Sequence, residues 1–142
     1  MVTNNNINEE KGDAIVNVTD CKITNNNDSK ESVSVILRKC PIAPRKLRII
    51  ADLIRKKNAE RAMSILNCNQ KKCCIYIKKL LISAIAIFNK NASDTVDCSK
   101  LIINTIKVDG GSMLKRLLPA PQGRGYRIRK RSSHITLILK HI

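Results

Sequence analysis

The sequence predicts a small mixed domain of helices and strands carrying one long basic appendage. Three observations lead there. The chain has 142 residues, about one domain's worth. Its apolar residues recur with period two in one early segment, then with helical spacing in three segments, then with period two again. Between the last two extended segments lies a run rich in glycine, proline and bases that neither periodicity explains.

The elements follow in chain order. Val33–Arg38 alternates, with Val33, Val35 and Leu37 on one face, and reads as a strand. Pro41 and Pro44 end it, and Pro44 suits the first position of a helix, where its missing N–H costs nothing. Leu47, Ile50, Ala51 and Ile54 then fall at i, i+3, i+4 and i+7, an amphipathic helix. Ala59, Ala62, Met63 and Leu66 predict a short second helix. Cys74, Ile77, Leu81, Ala84 and Phe88 predict a longer third one over about Lys71–Asn89, the central core helix. Asn91–Ser99 is a polar connection. Leu101–Val108 is β-rich and bounded by Asp109-Gly110-Gly111, and Arg127–Lys140 is a second extended segment.

The 18 residues Asp109–Tyr126 between these strands form a functional loop, a disordered loop or a projecting β-ribbon. As a ribbon with about nine residues per arm at roughly 3.3 Å each, it reaches on the order of 30 Å. A ribbon of that length buries neither of its faces and needs a partner.

Charge names the partner. The chain holds 27 Lys and Arg against 11 Asp and Glu, a net +16. Residues 1–32 have three bases against six acids, a net −3, so the remaining residues carry +19. From Gly110 onward there are eight bases and no acid. Arg127, Arg129 and Arg131 fall on one face of a strand and Lys130 on the other. Charge on both faces is incompatible with burial in protein and fits a strand between phosphate walls, which the planar guanidinium suits. Arg45, Lys46 and Arg48 sit at a helix start, where positive charge opposes the helix dipole and an external anion relieves it.

Other classes recede. No run of 18 apolar residues exists, so no membrane-spanning helix is expected. The first 20 residues have no apolar core of a signal peptide. Tyr76, Phe88 and Tyr126 are too few rings for a base-stacking platform. The six cysteines contain no C-x-x-C pair, His134 and His141 are isolated, and no metal or other cofactor is expected. No nucleophile–base pair is visible, so the chain does not read as an enzyme. Residues 1–32, with NNN twice and little apolar content, read as a disordered acidic leader ahead of a domain over 33–142. Ile, Lys and Asn supply 52 residues, as expected of a genome rich in A+T. A DNA-bending architectural protein remains an alternative, because such proteins use basic β-ribbons with a wedge such as Pro119 or Pro121.

Two stretches resemble a known family. PRKLRIIADLIRKK (Pro44–Lys57) and GRGYRIRKRSSHITLIL (Gly123–Leu139) look like the signatures of the bacterial-type large-ribosomal-subunit protein L-twenty-two family. VDGGSMLKRLLPAPQGR (Val108–Arg124) is similar to that family's hairpin tip, and the resemblance covers about residues 33–140. It implies an α+β fold: three helices packed on a small three-stranded antiparallel sheet, with one long extended β-hairpin over about 101–140 and a tip over about 110–123. It implies a structural constituent of the large ribosomal subunit that binds large-subunit rRNA, aids early assembly and lines the nascent-peptide exit tunnel. The partners implied are rRNA, neighbouring ribosomal proteins and the nascent peptide, in a bacterial cytoplasm or an organelle.

Carried over by position, the rRNA-binding residues are Arg45, Lys46, Arg48, Lys115, Arg116, Arg124, Arg127, Arg129, Lys130, Arg131, Ser132, Ser133 and His134. The tunnel-tip residues are Met113, Leu114, Lys115 and Arg116. Two positions depart from the family's pattern. Ala43 stands where a Ser is usual, which removes a side-chain helix cap, and Lys56 stands where a Gly is common.

Overall fold

A computed structural model describes residues 21–22, 32–91 and 97–141. The order is β1 (Cys21–Lys22), β2 (Ser32–Cys40), α1 (Pro44–Ile54), α2 (Ala59–Cys68), α3 (Lys72–Asn91), β3 (Leu101–Pro119) and β4 (Gly125–His141). The strands form one antiparallel sheet in the order β1-β2-β4-β3. This is the expected α+β arrangement of three helices and three long antiparallel strands, with the two-residue β1 added at the edge. The reading of 1–32 as a disordered leader lies outside the described residues, apart from Cys21 and Lys22, which pair with Val35 and Ser34, and Ser32, which opens β2.

Period two decides which sheet face is covered. Val33, Val35 and Leu37 on β2, Ile135, Leu137 and Leu139 on β4, and Leu101, Ile103, Ile106 and Val108 on β3 are buried. The helices supply the other half of this core through Leu47, Ile50, Ile54, Leu66, Ile77, Leu80, Leu81 and Phe88. α1 begins at Pro44 with Ala43 as an N-cap that makes no side-chain bond, so the Ser of the family's pattern has no substitute here. Its C-terminal exit requires a left-handed residue, and Lys56 supplies it at φ 59°. That turn is pinned to the sheet: the Lys56 N–H donates to Ile103 O (3.1 Å) and the Ile103 N–H to Lys57 O (3.0 Å).

The largest difference from the sequence expectation concerns β3 and β4. β3 does not stop at Val108; it passes through Asp109-Gly110-Gly111 and pairs with β4 as far as Pro119 opposite Gly125. The glycines make a bulge and not a turn. Gly110 faces Ser133 and Met113 faces Arg131, so β3 spends one extra residue there. The chain reverses only at Pro121–Gly123, closed by the Ala120 N–H on Arg124 O (2.8 Å), with Gln122 and Gly123 both left-handed (φ 63° and 70°). The projecting-ribbon alternative therefore holds. Nine residues past Gly110 extend the arm about 30 Å.

Candidate nucleic-acid interface

The interface is built from the arm and the end of the body where the arm begins. Paired residues of an antiparallel ladder point to the same face, so the register sorts the arm into two sides. One side carries Met113 with Arg131, Lys115 with Arg129, and Leu117 with Arg127. The other carries Leu114 with Lys130, Arg116 with Ile128, and Leu118 with Tyr126. All twelve side chains are exposed, Leu117 most among the apolar ones at 73%. A two-stranded ribbon without a covered face is marginal by itself. No acid lies in the arm, so among the described residues the guanidinium groups of Arg127, Arg129 and Arg131 have no carboxylate partner. These three fall on one face with Lys130 on the other, as the period-two reading expects.

At its base, β4 is flanked by two bulges. On one side Gly111 and Ser112 of β3 oppose Ser132. On the other, Arg38 and Lys39 of β2 oppose His134, with Lys39 left-handed at φ 54°. Bulges leave ladder groups unpaired, and side chains of the basic motif satisfy them. The Ser132 hydroxyl donates to Ser112 O (2.5 Å). The Lys39 N–H donates to His134 Nδ1 (3.1 Å). Ser133, fully buried, donates to Ile42 O (2.7 Å). Arg48 reaches back from α1 to Val108 O through Nε (3.3 Å) and Nη2 (3.2 Å). Gly111 is required here, since a Cβ would lie 2.6 Å from Ser132 Oγ and 3.2 Å from the Ser132 carbonyl carbon.

These contacts sort the residue list drawn from sequence by how each side chain is placed. Ser133 is an internal brace with no surface to offer RNA, because its hydroxyl answers the chain's turn out of β2. Arg48, Ser132 and His134 each make a hydrogen bond within the protein, yet Arg48 is exposed and Ser132 and His134 are half-buried. Met113–Arg116 pair with Arg131–Ile128 within the 110–123 stretch of the arm, and the chain reverses at Pro121–Gly123. Arg45, Lys46, Arg48, Lys115, Arg116, Arg124, Arg127, Arg129, Lys130 and Arg131 are exposed. The braces also bring the two basic segments together. Ser133 on Ile42 and Arg48 on Val108 hold the start of α1, with Arg45 and Lys46, against the root of the arm.

Residues passed over in the sequence belong to the same region. Lys39 shapes the arm root, and Leu118, Tyr126 and Ile128 give the second arm face its apolar character. Their signal was the alternation Leu114, Arg116, Leu118 against Tyr126, Ile128, Lys130, which becomes legible only once the two strands are aligned. Cys40, Cys73 and Cys74 are buried and serve packing, whereas Cys68 and Cys98 are exposed. Burial pushes the Cys40 and Cys74 thiols above their ordinary range, with Cys73 nearby adding to both, so they stay protonated at neutral pH.

Comparison with known proteins agrees with this geometry. Residues 35–140 match the family described as ribosomal protein L22p/L17e. The chain is 51% identical to the large ribosomal subunit protein uL22 of Christiangramia forsetii over 104 residues, 72% of this chain and 77% of that one. It is 49% identical to the protein of that name from Flavobacterium johnsoniae, over 72% of this chain and 76% of that one. With that from Bacteroides fragilis it shares 46% over 72% and 76%. A match spanning every element from β2 to β4, arm included, shows that the chain belongs to the ribosomal protein L22p/L17e family, a structural and non-enzymatic component of the ribosome.

Proposed function

We propose that this protein is built into the large ribosomal subunit and binds its rRNA along the arm and at the start of α1. The observation that carries the reading is the acid-free ribbon, with cations on both faces and neither face covered by protein. Guanidinium and ammonium groups on opposite sides of a strand pair fit between two RNA backbones, neutralising phosphates where RNA helices crowd together. The exposed Leu118, Tyr126 and Ile128 give one face aliphatic and ring surface to lay against sugars and base edges. Recognition is then mainly of backbone and shape. The arm assists early subunit assembly by joining RNA segments that the body alone does not reach. Its end, Pro121–Gly123 with the adjoining strand residues, lines the exit tunnel and meets the nascent peptide. Neighbouring ribosomal proteins contact the body, and the protein resides in ribosomes of a bacterial cytoplasm or an organelle.

The test replaces residues 112–131 by a short turn joining β3 to β4. The shortened protein folds, because the buried cluster lies outside that stretch, yet fails to enter assembling large subunits in competition with the full chain. Equal incorporation overturns the assignment of the arm. Density for the Pro121–Gly123 turn away from the tunnel in purified ribosomes overturns the tunnel part alone.

A further inference from the structure

The body exposes its large apolar side chains on two helices only. Among the described residues outside the arm they are Ile49, Leu53, Ile75 and Ile82, each between 42% and 56% exposed. The first two stand on α1 and the others on α3, while α2 and the body strands contribute none. Helical spacing makes each pair a stripe. Lys46, Ile49 and Leu53 fall at i, i+3 and i+7 of α1, and Lys72, Ile75, Lys79 and Ile82 share the outer face of α3. The stripes meet at an open groove of about 530 Å³, which Lys46 and Ile49 line from α1 and Lys72 and Cys73 from α3. Apolar side chains exposed singly are ordinary on a surface, but four of them on adjoining helix faces around one groove mark an interface.

The charges around it say what the partner is. α1 has three sides. Leu47, Ile50, Ala51 and Ile54 point into the core. Arg45, Arg48 and Asp52 share a second side, which the Arg48 bonds to Val108 O turn toward the arm root. Lys46, Ile49 and Leu53 form the third. The guanidinium groups that suit phosphate thus go with the arm, and the apolar side has lysines alone. Asp52 is the one acid of either helix, and Arg55 pairs with it (2.9 Å), so nothing on the helices neutralises those lysines. An RNA backbone would answer the ammonium groups but leave four aliphatic side chains against charged phosphate. A protein segment with aliphatic residues and carboxylates answers both.

We infer that the outer faces of α1 and α3 dock a neighbouring protein of the large subunit. Its segment lays aliphatic side chains on Ile49, Leu53, Ile75 and Ile82 and sets carboxylates on the lysines between them. The inference rests on the reading that this protein is built into that subunit, and it adds the surface used and the chemistry of the partner. It also divides the molecule's work: the arm and the arginine side of α1 meet RNA, and the lysine and isoleucine stripes meet protein.

A photoreactive benzophenone amino acid placed at Ile75, and separately at Ile82, tests this in large subunits purified from cells that make the substituted protein. Both side chains are exposed, so the core is untouched. The expected result is a cross-link from each position to the same second protein, on peptides carrying Asp or Glu beside Leu, Ile or Val. Adding Lys72→Glu with Lys79→Glu keeps the apolar face and reverses its charge, and the cross-link per incorporated copy falls by about tenfold or more. Cross-links to rRNA, cross-links to a segment without acids, a yield unmoved by charge reversal, or no cross-link from incorporated protein each overturn the inference and leave the ribosomal function standing. Absence of the unsubstituted protein from large subunits overturns that function, and the docking surface with it.

Discussion

Replacing Arg127, Arg129 and Arg131 together by alanine isolates one face of the arm. The three share a face with Met113, Lys115 and Leu117, all exposed, so the change removes three charges and leaves the core intact. If each guanidinium neutralises one phosphate, each contributes about 0.7–0.9 to the slope of log affinity against log salt, and the three together about 2–2.7. Between about 50 and about 200 mM salt, the advantage of the natural protein over the variant then shrinks by about 20–40-fold. The assay is a salt series of equilibrium binding to large-subunit rRNA, with Lys79→Ala and Lys90→Ala on α3 as a charge-loss control. Thermal unfolding of the triple variant stays within about 2 °C of the parent, since the arm adds nothing to the buried cluster. Parallel log–log lines for parent and variant would refute direct phosphate contact along this face. So would a slope change per charge equal to that of the control, because it would reduce the arm to a contributor of net charge.

The remaining predictions probe the arm root and the body. Ser133→Ala removes the fully buried hydroxyl that answers Ile42 O, costs about 1–3 kcal/mol and lowers the melting temperature by roughly 5–15 °C, read by calorimetry; no shift would mean the bond is dispensable. Gly111→Ala forces its Cβ onto Ser132, breaks the Ser132–Ser112 bond and costs about 1–3 kcal/mol in chemical denaturation, whereas Gly110→Ala, with open space around it, costs less. Lys56→Gly relieves a left-handed lysine and leaves stability unchanged or raised by up to about 1 kcal/mol, while Lys56→Val lowers it by more than about 1 kcal/mol. Iodoacetamide at neutral pH labels exposed Cys68 and Cys98 well before buried Cys40 and Cys74, whose raised thiol pKa values keep them protonated; equal rates by peptide mass mapping would contradict the packing.

The sequence by itself determined the elements and where the positive charge lies. Leu47, Ile50, Ala51 and Ile54 repeat at helical spacing, and Ile135, Leu137 and Leu139 at period two, because each periodicity is written into local chain geometry. The concentration of positive charge after Gly110 is likewise a property of composition. Tertiary structure alone decided which of those charged and polar residues are free. Gly110-Gly111 reads as a turn in one dimension, yet in the sheet it is a bulge, since β4 supplies the ladder partners that carry β3 onward to Pro119. Ser132, Ser133 and His134 continue a basic motif in sequence. In space they answer backbone groups on Ser112, Ile42 and Lys39, residues 20 to 95 positions away. Local pattern fixes which face a side chain takes. Only the strand laid beside it determines whether that side chain finds an unpaired carbonyl within reach or open space for a phosphate.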